Sequence, residues 1–169
     1  MKKELTVIVL IASLTLCVGC GNTKELDEYY TSMNDSIVCI HDTKEQLDNI
    51  DTEDESASTE VLALLDEFEN EFENLSSIDV PKEFSANETL ADDAYSYMSE
   101  ANTLFHQYFN DSESDSTVYD AAMENYTRAM TRLSYISSIL KGEVPEGEGV
   151  TFTEEDGADF TPVIDEEAE

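Results

Sequence analysis

A thiol and an imidazole come closest together in this chain at Cys39 and His41. Nucleophilic catalysis needs such a pair within hydrogen-bond reach. Two positions apart on a helix, the side chains instead point about 200° away from each other. The second histidine, His106, stands in no recognisable catalytic motif either. Carboxylates are abundant, 40 Asp and Glu among 169 residues, so metal ligation is the other chemistry to weigh. Di-iron bundles use inward-facing Glu-x-x-His pairs. Here Val38 lies three before His41 and Thr103 three before His106, so that signature is missing. Asp111-x-Glu113-x-Asp115 has the opening spacing of a calcium loop, yet Ser116 replaces the required Gly and Ala122 the closing Glu. Helix-capping carboxylates explain that stretch better. Asn34, Asn74, Asn87, Asn110 and Asn125 each open an Asn-x-Ser/Thr match, to which we attach no expectation of glycosylation. We therefore expect no catalytic residue, no cofactor, no metal site and no enzyme.

The third kind of chemistry lies at the N-terminus. Met1-Lys2-Lys3-Glu4 is a short basic start, and Leu5 to Leu16 is an apolar run. The run falls short of the ~20 residues that a comfortable membrane span needs. A basic start, a short apolar run and small residues at its end make a secretory signal. Val18 and Gly19 are followed directly by Cys20. This end resembles the lipobox of bacterial lipoproteins. The resemblance implies that the Cys20 thiol receives a diacylglycerol, that a signal peptidase cuts just before it, and that Cys20 becomes the new N-terminus. It further implies a palmitate-type membrane anchor on the extracytoplasmic face. One departure stands out: the family has Leu three positions before its Cys, where this chain has Cys17. Cys17 is not the modified residue, because bulky Leu16 would fill the small-residue site. An ordinary signal peptide cut nearby, or an uncleaved N-terminal anchor, are the alternatives.

Removing 19 leader residues from 169 leaves 150, enough for one domain with its own core. Loss of Lys2, Lys3 and Glu4 takes the formal charge from −32 to −33. Nucleic-acid binding depends on neutralising phosphates with Lys and Arg, so we exclude it. Cationic partners stay open. Only Cys39 would remain as a free thiol, so there is no disulfide framework, and we expect it to be a partly buried helix residue.

The elements that must carry these groups follow from periodicity. Asn22 to about Asp27 is a polar lead-in. Leu26, Tyr30, Met33, Ile37, Ile40, Lys44 and Leu47 are then spaced by alternating fours and threes, one seam of a helix. Val61, Leu65, Phe68, Phe72 and Leu75 repeat that spacing, with acids and Asn on the outer face. Val80-Pro81 interrupts, and Ser85-x-x-Glu88 matches a capping box. Ala91, Ala94, Met98, Ala101, Phe105 and Tyr108 form the third seam. Tyr119, Ala122, Tyr126, Ala129, Leu133, Ile136 and Leu140 form the fourth, closed by Lys141-Gly142. Residues 143–169 hold eleven acids and no Lys or Arg, without a sustained period.

The expectation is an all-α chain. It has a signal peptide (1–19), a lipidated Cys and spacer (20–25), an antiparallel up-down-up-down four-helix bundle (26–142) and a disordered acidic tail (143–169). No sheet is expected. The layout also resembles the small uncharacterised helical lipoproteins of Gram-positive bacteria. That resemblance implies a non-enzymatic interaction module at the cell envelope, with the membrane as one partner and an envelope protein as another. Tyr29, Tyr95, Tyr97 and Tyr135 are its candidate contact residues if exposed. The alternative is a ligand- or cation-binding accessory protein of a transporter or sensor, which needs a polar-lined cavity between the helices. Oligomeric state is not legible.

Overall fold

The computed structural model describes residues 23–51, 53–54, 56–111, 113 and 115–145, together with the backbone of 150–155 and 159–164. Among these residues four α-helices pack together: α1 (Thr23–Asp48), α2 (Ala57–Ser76), α3 (Ser85–Asn110) and α4 (Ser116–Leu140). A 3-10 turn, Lys82–Phe84, leads into α3, and two strands follow α4: β1 (Val150–Glu155) and β2 (Asp159–Ile164).

The α2 and α3 seams are buried largely as their spacing predicts. Leu65, Phe68, Phe72 and Leu75 are buried on α2, and Ala91, Ala94, Met98, Ala101 and Phe105 on α3. On α4, Ala122, Ala129, Leu133 and Ile136 are buried, while Tyr119 is exposed. Pairs of large and small residues interdigitate without voids. The alanines suit close packing, and contact is most extensive between α3 and α4. Contact is less extensive between α3 and α2 and between α2 and α1, and slight between α1 and α4.

α1 departs from its expected seam by a small rotation. Tyr29, Met33, Ile40 and Thr43 are buried, whereas Tyr30, Ile37 and Lys44 are only partly so. Two polar contacts account for the turn, since Tyr29 bonds to Asn87 and Thr43 to Glu71. Lys44 pairs with Asp48 on its own helix. The helix also begins at Thr23, so the polar lead-in is already helical, with Lys24 and Glu28 paired at 2.9 Å.

The capping box expected at Ser85 does not form. Phe84 N donates to Pro81 O at 2.8 Å, so the chain is turning before Ser85, which is already inside the helix. Phe84 anchors the entry by packing its ring 5.2 Å from Tyr29 and 5.3 Å from Tyr30. Pro81 is buried and Ile78, Val80 and Phe84 lie against the core, so this connection presses onto the bundle. The end of α4 behaves as predicted. Gly142 has φ +72°, its N–H donates to Ile139 O, and Glu143 N–H donates to Ser138 O. Those two bonds close a Schellman motif.

Beyond Gly142 the structure corrects the expectation of a disordered tail with no sheet, for the residues in β1 and β2. The two strands pair antiparallel, Val150 opposite Ile164, Phe152 opposite Pro162 and Glu154 opposite Phe160. β2 lies against α3 and the 3-10 turn. Val150, Thr151, Phe152 and Thr153, with Phe160, Thr161, Val163 and Ile164, are strand-favouring types. Asp156-Gly157 between them is a hairpin signal in the sequence. The other tail residues from 146 onward lie outside the described residues.

Candidate functional site

Cys20, the residue expected to be lipidated, lies outside the described residues, as does the expected leader 1–19. Cys39 is exposed, not partly buried as expected. His41 is exposed as well. Among the described residues neither of them meets a partner side chain that could activate it.

His106 does gain partners. Its Nε2 lies 2.8 Å from Asp66 Oδ1, across from α3 to α2. Asn102, one helical turn earlier, donates through Nδ2 to Asp66 Oδ1 at 2.9 Å and to Glu69 Oε2 at 2.6 Å. Ser99 Oγ donates to Glu69 Oε1 at 2.7 Å. Bonding to Asn102, with a smaller contribution from His106, holds the Asp66 carboxyl below its ordinary value. Ser99, Asn102 and His106 thus form a polar row on α3 that receives the acids of α2. Such a row fastens two helices in register. Among the described residues, no group of three or more His, Cys, Asp or Glu is placed to hold a metal ion.

Two further polar contacts reach the core. Asn87, fully buried, donates through Nδ2 to the Tyr29 hydroxyl at 2.8 Å, and its Oδ1 has no partner among the described residues. Burial pushes the Tyr29 phenol up to about 12, against the opposing effect of Asn87. Thr43 Oγ1 donates to Glu71 Oε1 at 2.9 Å, leaving Glu71 Oε2 buried without a partner among the described residues. Burial, with Glu67 and Asp42 nearby, raises the Glu71 carboxyl above its ordinary value.

The tyrosines offered as contact residues are not the exposed ones. Tyr29 and Tyr135 are buried, and Tyr95 and Tyr97 partly so. Tyr97 lies under both arginines of the chain, Arg128 at 5.6 Å and Arg132 at 5.7 Å from its ring centre. Arg132 also reaches Asp93 at 3.3 Å. This cluster ties α3 to α4. Cation–π contacts of this kind contribute ~0.5–1 kcal/mol each at exposed sites.

Two of the three carboxylates in the calcium-like stretch are turned onto their own backbone. Asp111 Oδ1 accepts from Glu113 N and Asp115 Oδ1 from Thr117 N, each at 2.9 Å. Asp115 is the N-cap of α4, as capping predicts.

Sequence reading missed Thr43, Asn87 and Asn102 as buried polar residues. A signal existed for Asn102, which stands four after Met98 and three before Phe105, within the buried row of α3. The interior is otherwise one apolar cluster. The best-formed depressions among the described residues are shallow and open, on the outer side of α1 near Lys24 and Thr31 and near Asp42 and Asn49. No helix among the described residues is long and apolar enough to cross a membrane.

Comparison with protein-family models, curated proteins and solved structures finds no match for this chain.

Proposed function

We propose that this chain is a lipoprotein anchored through Cys20 to the extracytoplasmic face of the cell membrane. There its helical body serves as a non-enzymatic interaction module for another envelope component. The observation that carries the reading is the position of Cys20 between an apolar leader and the first helix. Val18-Gly19-Cys20 ends the leader, and α1 starts at Thr23. Only Gly21 and Asn22 intervene, so an acylated Cys20 would hold the bundle within about 10 Å of the bilayer surface. Two acyl chains anchor a protein far more firmly than one, at ~0.8 kcal/mol per buried CH2.

The helices take an up-down-up-down order in this proposal. Several pairs support it. Positions 66 and 69 of α2 meet 106 and 99 of α3, in opposite senses along the two helices. Tyr119 and Arg132 of α4 meet Phe105 and Asp93 of α3, again reversed. Tyr29 near the start of α1 meets Asn87 at the start of α3. That order brings residue 23 and the end of α4 to one end, next to the membrane, and leaves the 111–115 connection at the far end. The contiguous apolar interior favours a protein that works through its surface over a ligand or cation carrier.

Replacing the anchor residue tests the reading. Cys20→Ala should release the protein from the membrane fraction and abolish acyl labelling. Membrane retention with continued labelling would overturn it. Crosslinking from intact cells then tests for a partner.

A further inference from the structure

We propose that the end of the α3–α4 hairpin is a docking surface for a basic protein segment with an apolar face. Phe109, Tyr119 and Met123 are 37%, 37% and 38% exposed, while Phe68 and Phe72 in the core are fully buried. The three belong to one patch. Tyr108 packs 5.3 Å from Phe109 and 5.1 Å from Tyr119, and Met123 stands one turn beyond Tyr119 on α4. Tyr119 is held from below by Phe105, 5.7 Å away in an edge-to-face contact. Val38 and Val144, the other exposed large apolar residues among those described, stand singly. Single exposed apolar residues are ordinary, but a joined patch marks a contact surface. Rigid aromatic side chains and Met are the types enriched in interface centres.

Charge names the occupant. No Lys or Arg occurs between Lys82 and Arg128. Around the patch, Asp111, Glu113, Asp115 and Asp120 are exposed. An apolar centre with an acidic rim fits a partner that carries Lys and Arg around Leu- or Phe-type residues. A second copy would set acid against acid, and an anionic lipid surface would be repelled in the same way. The patch lies at the end of α3 remote from Asn87 and Tyr29, which in the proposed anchoring is the end facing away from the membrane. The inference rests on the chain being an interaction module, and it holds whether or not Cys20 is acylated.

The test uses the intact chain and an amphipathic helical peptide of Leu and Lys, with a Leu and Glu peptide as control. Affinity is read by fluorescence anisotropy. Phe109→Ser with Met123→Ser should weaken Leu/Lys binding by roughly tenfold or more, while Val38→Ser leaves it unchanged. In the unsubstituted chain, added peptide should slow hydrogen exchange over residues 105–123. Equal affinity of the double variant, no binding, equal binding of the acidic peptide, or dimerisation through this patch in sedimentation would each overturn the proposal. A photo-crosslinker separates the two levels of the reading. Capture of a cellular partner at Val38 but not at Phe109 overturns the docking surface and leaves the interaction module standing. Capture at neither position, nor by the unsubstituted chain, overturns both.

Discussion

Asn87 Nδ2 donates to the Tyr29 hydroxyl at 2.8 Å, joining residues 58 positions apart inside the core. This bond fixes the rotation of α1 against the start of α3, with the Phe84 ring packed beside it. Deleting one partner strands the other without water. Tyr29→Phe or Asn87→Leu should each cost about 1–3 kcal/mol. The double variant, with both polar groups gone, should cost clearly less than the two singles combined. Denaturant unfolding of all four chains measures that coupling.

Glu71 predicts a pH dependence. Its carboxyl is raised by burial first, with Glu67 and Asp42 adding repulsion and Thr43 opposing. A carboxyl raised in the folded state binds its proton more tightly there than in the unfolded chain. Ionised Glu71 therefore costs stability at neutral pH, and the cost fades as pH falls through the folded value toward the unfolded one. Glu71→Gln should raise the melting temperature at pH 7. The gain stays under about 1 kcal/mol, because the side chain is partly solvated and screened. It should vanish below about pH 4, where the unfolded carboxyl is protonated too. Thermal melts at the two pH values check this.

Phe68 sits where α2 meets α4, with ring centres 6.1 Å from Phe72 and 5.9 Å from Tyr126. It is fully buried. Phe68→Ala leaves a cavity that rigid neighbours cannot close, and should cost about 3–5 kcal/mol. A loss under about 1 kcal/mol by denaturant titration would mean that this side chain is not at the centre of the core.

Gly142 stops α4 at φ +72°, and an added Cβ would meet nothing within 4 Å. The cost of Gly142→Ala is therefore one of backbone conformation alone, about 1 kcal/mol. The melting temperature should drop slightly while helicity is unchanged.

The helices were legible because a buried stripe imposes its period on the sequence. Leu65, Phe68, Phe72 and Leu75 show it on α2, and the alanines of α3 and α4 show how closely two helices can approach. What stayed hidden depends on partners distant in sequence. Local spacing favours Tyr30 and Lys44 as well as their neighbours, and only Asn87 and Glu71, across the fold, select Tyr29 and Thr43. β1 and β2 were masked by the run of acids, Glu154, Glu155, Asp156 and Asp159, between Phe152 and Phe160. Tyr119 continues the α4 seam by spacing, yet it is exposed among Tyr108, Phe109 and Met123. Period alone does not say where a seam ends.

The central claim is that Cys20 is the acylated N-terminus of the mature protein. Intact-mass measurement of the protein extracted from membranes tests it directly. The expected product is a chain that begins at Cys20 and carries a diacylglyceryl group. A chain that keeps its leader unmodified, or one with a free thiol at Cys20, would contradict it.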